Sequence, residues 1–432
     1  MTVRILKGNC LELLARLPAG SVDCVVTSPP YWGLRDYGVA PSIWDGNDAC
    51  IGREHTWGEI GKSGQRQRNG AEGGLHSGRA TDKLADNITL NPETGAFCLR
   101  CKAWRGVFGL EPTPELYVAH AIDIFREVHR VLRREGTLWL NLGDSYARDA
   151  RKGQHKPGDC GKQGYIYDHG GGRASACVDL QSEARGSSDG KVGRGNRAPV
   201  RNGASGLKAK DLIGIPWMTA FALRADGWYL RQDIIWSKPN PMPESVTDRC
   251  TKAHEYLFLL AKSERYYFDQ EAIVEPLSQA SIERLGQNVP KQRGSERVPG
   301  KTNGPMKAVG RATDTYTAHA YPHPQSAPRG PANNFGIFEK RNKRSVWTVT
   351  TQPFSEAHFA TFPPALIEPC ILAGCPEGGT VLDPFGGAGT TGMVADRLKR
   401  NAILIELNPE YADMAERRIH ADAGMFAETQ TK

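Results

Sequence analysis

"GTVLDPFGGAGTTGMVADRLKR", residues 379–400, passes from a short apolar strand through a glycine turn into a helix. Asp383 stands at the strand's end, Gly386, Gly387 and Gly389 fill the turn, and Thr390 and Thr391 open the helix. Glycines in such a turn let the backbone approach a ligand closely, and the helix N-terminus favours a negative group. The next strand ends on Glu406, about 20 residues further on, where an acid typically accepts the hydroxyls of a ribose. A phosphate loop needs Gly-Lys-Ser/Thr, and no lysine stands there, which argues against nucleotide hydrolysis. Together with Phe385, these residues describe a site for a nucleoside with a compact zwitterionic tail. S-Adenosylmethionine has that shape, with adenine against Phe385, ribose on Glu406 and the methionine amine near the turn.

Outward from this stretch the chain alternates strand and helix. Residues 401–419 repeat the strand, turn and helix; 21–27 is a continuous apolar strand; 137–144, 228–239 and 254–262 read as further strands. Residues 115–136 carry Leu116, Ala119, Ile122, Phe125 and Val128 on one helical face, with Gly136 suited to stop the helix. This βαβ rhythm predicts an α/β fold, a doubly wound and mostly parallel sheet with helices on both faces. Three long polar insertions interrupt it. Residues 1–49, 102–150, 211–276 and 346–425 are expected to form one catalytic and cofactor-binding domain. The insertions are 50–101, 151–210 and 277–345, and 426–432 reads as a tail.

The formal charge of +7 is uneven. Residues 151–210 hold twelve Lys/Arg against five Asp/Glu, and 277–345 hold twelve against four, so the rest of the chain is acidic. Both basic segments are rich in Gly, Ser, Asn and Pro without apolar periodicity, which suits arms that hold a polyanion. No apolar run approaches the ~18–20 residues of a membrane span, and the N-terminus goes straight into an amphipathic pattern. Ten cysteines without a secretory signal point to a reducing compartment, so a cytoplasmic location is expected.

A second stretch, "VVTSPPYWGLRDYG" (25–38), is a buried apolar strand that stops on two prolines followed by two aromatics. Thr27, Ser28, Pro29, Pro30 and Tyr31 at a strand's mouth make a rigid socket for a flat polar ring. "TSPPY" and "DPFGGAGTTG" together resemble the catalytic and cofactor motifs of the amino-methylating DNA methyltransferases, in the permuted order of the beta class. The resemblance covers about half the chain. It implies a Rossmann-like methyltransferase fold, with S-adenosylmethionine as cofactor and double-stranded DNA as substrate. It also implies that Ser28 and the Pro29 carbonyl accept hydrogen bonds from the exocyclic amine of a flipped base while Tyr31 stacks on the ring. The two prolines fix that carbonyl in advance. Residues 5–18 match the family's opening strand and turn, and 358–375, with Phe362, match a helix that closes over the cofactor's methionine end. Asn9 stands where the family more often has Asp, and it can still accept from the adenine amine. The implied cofactor set is Asn9, Thr27, Phe362, Asp383, Phe385, Gly387, Gly389, Thr390, Thr391 and Glu406. Segment 277–345 is the expected target-recognition region.

Ser at position 28 tilts the resemblance toward cytosine N4, with adenine N6 still open because either acceptor can hold either amine. RNA or protein-amide methylation, or a catalytically inactive DNA-binding module, are the alternatives. The basic insertions count against a protein substrate, and two intact motifs count against inactivity. Carbon-5 cytosine chemistry would use Pro369-Cys370, which sits inside an expected helix and not after a strand. A homodimer follows from resemblance alone; a cognate restriction endonuclease and an orphan enzyme are equally open. Finally, "CIGREH" and "FCLRC" supply Cys50, His55, Cys98 and Cys101, a ligand set that suits a structural zinc stapling the first insertion.

Overall fold

Strand β2 (Val22–Thr27) is buried along its whole length, as an apolar strand is when both faces of a parallel sheet are covered. The computed structural model describes residues 1–33, 37–46, 50, 54–57, 96–147, 207–281, 340–352, 361–423 and 428–431. These divide into two units, Met1–Phe268 with Ser345–Lys432, and Asp269–Arg344. Most of the basic insertions, 151–206 and 282–339, and the centre of the first, 58–95, lie outside the described residues.

In chain order the first unit contains β1 (Thr2–Lys7), α1 (Cys10–Arg16), β2, β3 (Ser42–Trp44), β4 (Ala96–Phe97) and β5 (Trp104–Gly106). Then come α2 (Pro114–Val131), β6 (Leu132–Leu142), α3 (Ile215–Ala225), β7 (Tyr229–Ser237) and β8 (His254–Ala261). The second unit intervenes with a hairpin, β9 (Glu275–Pro276) antiparallel to β10 (Lys340–Arg341), in which Glu275 faces Arg341, Lys343 and Arg344. The first unit resumes with β11 (Val346–Thr348), α4 (Pro364–Gly374), β12 (Thr380–Asp383), α5 (Thr390–Arg397), β13 (Asn401–Glu406), α6 (Pro409–Ala423) and β14 (Glu428–Thr431).

Nine of these strands form one sheet in the order β11-β7-β8-β6-β2-β12-β13-β1-β14. Only β8 runs against its neighbours; the other pairings are parallel. Helices α1, α2 and α3 pack together as one layer and α4, α5 and α6 as another, the doubly wound architecture expected. No helix among the described residues is long and apolar enough to cross a membrane.

Four sequence expectations need correction. The helix over 115–136 ends at Val131, because Leu132 turns extended and pairs with Val22 as the first residue of β6. Gly136 serves packing in the strand, since a Cβ there would lie 2.7 Å from Leu132 and 3.1 Å from the Asp23 carbonyl. The buried face of α2 includes Tyr117, Val118, His120, Ala121, Ile124, Phe125 and Val128, so that of the expected stripe Leu116 and Ile122 are half-buried at its margin and Ala119 is exposed. That face takes in His120, a polar residue that turns inward to two carboxylates and that a stripe of apolar residues does not count. The tail 426–432 contains β14, which adds to the sheet beside β1. The first insertion, finally, is not self-contained: its β4 pairs with β5, beyond the expected boundary at 101, and β5 pairs with β3.

Candidate cofactor and catalytic site

Strands β2, β12, β13 and β1 are consecutive and parallel in the sheet, so their C-terminal ends lie along one edge. That edge is where open α/β sheets bind ligands. The two sequence motifs, more than 350 positions apart, are side by side there, with Val381 opposite Cys24 and Leu382 opposite Val25. A cavity of about 310 Å³ opens on this edge, within the size of small-molecule pockets. Its walls include Asn9, Ser28, Pro29, Pro30, Tyr31, Phe362, Asp383, Phe385, Gly387, Thr390 and Glu406.

The cofactor half is braced by two carboxylates. Asp383 is buried at the end of β12 and its oxygens are taken: Thr27 Oγ1 and the Phe385 N–H donate to Oδ1 at 2.6 and 3.0 Å, and Thr391 Oγ1 donates to Oδ2 at 2.6 Å. Burial raises its pKa above the ordinary carboxyl value, with the two hydroxyls pulling the other way. Thr27 and Thr391 do not line the cavity and lie behind its wall, where they join β2 to the glycine turn through one side chain. Gly389 is also outside the cavity. It caps α5 with φ +76°, and a Cβ there would come 2.8 Å from that of Ala415, so it serves the packing of α5 on α6.

Glu406 ends β13 with Oε2 accepting from the Gly387 N–H and Oε1 from the Asn408 N–H, both at 2.8 Å. Burial raises its pKa too. Each oxygen keeps a lone pair for a further donor, which fits a ribose diol. Phe385 stacks on Phe108 at 5.7 Å, and Phe108 on Tyr117 at 4.9 Å, giving an aromatic wall. The Asn9 amide is already engaged: its Oδ1 caps α1 by accepting from the Leu11 N–H, and its Nδ2 donates to Ser42 Oγ at 2.8 Å.

Around the Pro-Pro turn, Ser28 Oγ lies 3.4 Å from the Tyr31 hydroxyl, and that hydroxyl lies 2.8 Å from Glu255 Oε2 and 3.0 Å from Asn141 Oδ1. Glu255 is paired through its other oxygen with Lys238. Burial, then the Glu255 charge, pushes the Tyr31 pKa well above the ordinary phenol value. The Tyr31 ring lies against Gly143, where a Cβ would come within 2.4 Å of it. The Pro-Pro turn is held from below, since the Tyr117 hydroxyl donates to the Pro30 carbonyl at 2.9 Å. The Pro29 carbonyl is not given that partner. Cys370, by contrast, is buried inside α4 with its thiol on the Leu366 carbonyl, away from this cavity.

Sequence reasoning missed Glu255, Asn141, Lys238, Ser42, Trp44 and Phe108. Glu255 had a signal: it is a carboxylate in "HEYLFLLA", an otherwise apolar strand. The others depend on which strands become neighbours.

The four candidate metal ligands come together. The ligand atoms of Cys50, His55, Cys98 and Cys101 all lie within 4.8 Å of one another. Burial pushes the Cys50 thiol up to about 11, with the neighbouring thiols adding to it. Burial acts on Cys98 in the same direction, but the Cys101 and Arg100 N–H groups and the His55 side chain outweigh it and bring that thiol down to about 5.

With this geometry in hand, comparison with known proteins is direct. A sequence profile of the N6/N4 methyltransferase family, described as DNA methylase, matches residues 22–417. The type II methyltransferase M.Cfr9I of Citrobacter freundii is 34% identical over 418 residues, 97% of this chain and 88% of its own length. M.SmaI of Serratia marcescens is 35% identical over 96% of this chain and 90% of its own. M.XycI of Xanthomonas campestris pv. cyanopsidis is also 35% identical, over 96% of this chain and 87% of its own. The chain belongs to the DNA methylase family of N6/N4 amino-methyltransferases.

Proposed function

We propose that this protein transfers a methyl group from S-adenosylmethionine to the exocyclic amine of a base flipped out of double-stranded DNA, with cytosine N4 favoured over adenine N6. The observation that carries the reading is the union of both motifs in one cavity, Ser28 to Tyr31 on one side and Phe385, Gly387 and Glu406 on the other. When bound, the cofactor supplies an electrophilic methyl group on a sulfonium. Everything else falls to the chain. Glu406 and Phe385 hold ribose and adenine, and α4 with Phe362 closes the far end.

Ser28 Oγ and the Pro29 carbonyl accept hydrogen bonds from the amine's N–H groups, which favours a more tetrahedral nitrogen whose lone pair points out of the ring plane. Such a nitrogen attacks in line without a covalent enzyme intermediate, so positioning and electrostatics supply most of the acceleration. Tyr31, held by Glu255 and Asn141, keeps its face for the base. Ser28 supports the cytosine N4 assignment through the family resemblance of its motif.

Mass spectrometry of nucleosides from duplex DNA incubated with the purified protein and labelled cofactor tests this. The expected product is N4-methylcytosine. N6-methyladenine would move the assignment to adenine, and label in RNA or protein with unmodified DNA would overturn the DNA reading. The relatives named as type II methyltransferases support a place beside a restriction endonuclease.

A further inference from the structure

The first insertion contributes a cluster that no step above uses. Cys98 ends the pairing of β4, and Cys101 follows across a tight turn in which the Cys98 N–H donates to the Ala103 carbonyl at 2.7 Å and the Lys102 N–H to the Cys98 carbonyl at 3.0 Å. Lys102 takes the left-handed conformation, φ +62°, that lets the chain reverse here. The opposite side comes from Cys50 and residues 54–57: Trp57 bridges Cys98, and the Leu99 N–H donates to the Thr56 carbonyl at 2.8 Å. His55 stacks on Trp57 at 4.9 Å, which fixes its ring beside Cys101.

The distances discriminate between chemistries. Cys50 and Cys98 sulfurs are 3.7 Å apart, and Cys101 Sγ is 3.3 Å from His55 Nδ1. A disulfide needs about 2.05 Å between sulfurs. Tetrahedral zinc with Zn–S near 2.3 Å and Zn–N near 2.0–2.1 Å places neighbouring ligand atoms ~3.5–3.8 Å apart. Three sulfurs and one imidazole nitrogen, three of the residues buried, lie within 4.8 Å of one another, with the Cys50–Cys98 pair at that spacing and the Cys101–His55 pair slightly inside it. The four ligands leave no open position, so the site is closed in the manner of structural zinc.

What the cluster touches gives it a task. Its residues form a small core of their own, Cys50, Cys98, Cys101 and Ala103 with Trp57 packed against it. Directly after Ala103 comes β5, whose Trp104 stacks on His120, and β5 pairs with β3. From β3, Ser42 accepts from Asn9 and Trp44 faces the cavity; past β5, Val107 and Phe108 do. We propose that Cys50, His55, Cys98 and Cys101 bind one zinc ion, and that this ion holds the β3–β5 wall of the cofactor cavity in place. The second half of the statement rests on the cofactor reading of that cavity; the first does not.

The full chain, purified without chelator, should contain about one zinc per chain by elemental analysis. Cobalt exchanged into the site should show the intense visible bands of tetrahedral coordination and a sulfur-to-cobalt charge-transfer band. His55→Ala and the Cys98→Ser, Cys101→Ser double variant should lose the metal and bind S-adenosylmethionine several-fold more weakly. His55→Ala guards against a double variant that fails to fold.

A folded native chain that takes up neither zinc nor cobalt overturns the site, as does a Cys50–Cys98 disulfide found by peptide mapping. Zinc retained by both variants overturns the ligand set. Metal lost with cofactor affinity unchanged overturns the wall. Zinc present in a chain that never binds S-adenosylmethionine leaves the metal site standing and sinks the cofactor reading instead.

Discussion

Among the described residues Ser28 makes one side-chain hydrogen bond, donated to the Tyr31 hydroxyl at a long 3.4 Å, which leaves its oxygen able to accept from a substrate. Asp383, at the other motif, is the opposite: it accepts three hydrogen bonds from the chain itself. The contrast yields a residue-scale prediction. Ser28→Ala should lower single-turnover methyl transfer by roughly 10²–10³, the effect of losing one transition-state acceptor, and leave the cofactor dissociation constant unchanged. Transfer at the parent rate would mean the Pro-Pro turn is only a turn. Both motifs were legible in the sequence because each is local: a strand end, a fixed turn and a few side chains within a dozen positions. Glu255 was legible only as a carboxylate in a largely apolar strand, since its proximity to Tyr31 comes with the pairing of β6 with β8, which the local pattern does not encode.

At the scale of elements, α2 carries the clearest conflict between pattern and structure. His120 is fully buried between Trp44 and Trp104, with Nε2 2.7 Å from Asp45 and Nδ1 3.0 Å from Glu111. Burial works against its charge, but the two carboxylates win and raise its pKa from 6.5 to about 9. An unfolded histidine has given up its proton above about 6.5 while the folded one keeps it, so the folded state binds more protons in this window. The resulting stability is fully present below pH 6.5 and is lost as pH rises through about 9. Thermal melts between pH 6.5 and 9 should therefore show a falling Tm, and His120→Gln should start lower and vary less. A parent Tm that is flat over this range would contradict the assignment of a charged His120. A polar residue buried on the face of a helix by partners outside that helix is invisible to apolar periodicity.

For the whole molecule, the sequence places 24 Lys/Arg in two segments lying largely outside the described residues, over a remainder that is acidic. If roughly 6–10 of them meet phosphates, DNA affinity should fall on the order of 10³–10⁵ between about 50 and 200 mM salt, with cofactor affinity unaffected. Filter binding over a salt series measures this, and a flat dependence would remove those segments from the DNA interface. The sheet was readable as βαβ rhythm, but its order was not, since strands so distant in sequence become neighbours only through tertiary packing. That order reaches into the protein's synthesis. Strand β1 lies between β13 and β14, so both of its partners are encoded after residue 400. As the nascent chain leaves the ribosome, its first strand waits with two unpaired edges until the last strands emerge. A protein wired this way has high contact order and slow closure, and in the interval it is open to chaperones and to edge-to-edge aggregation.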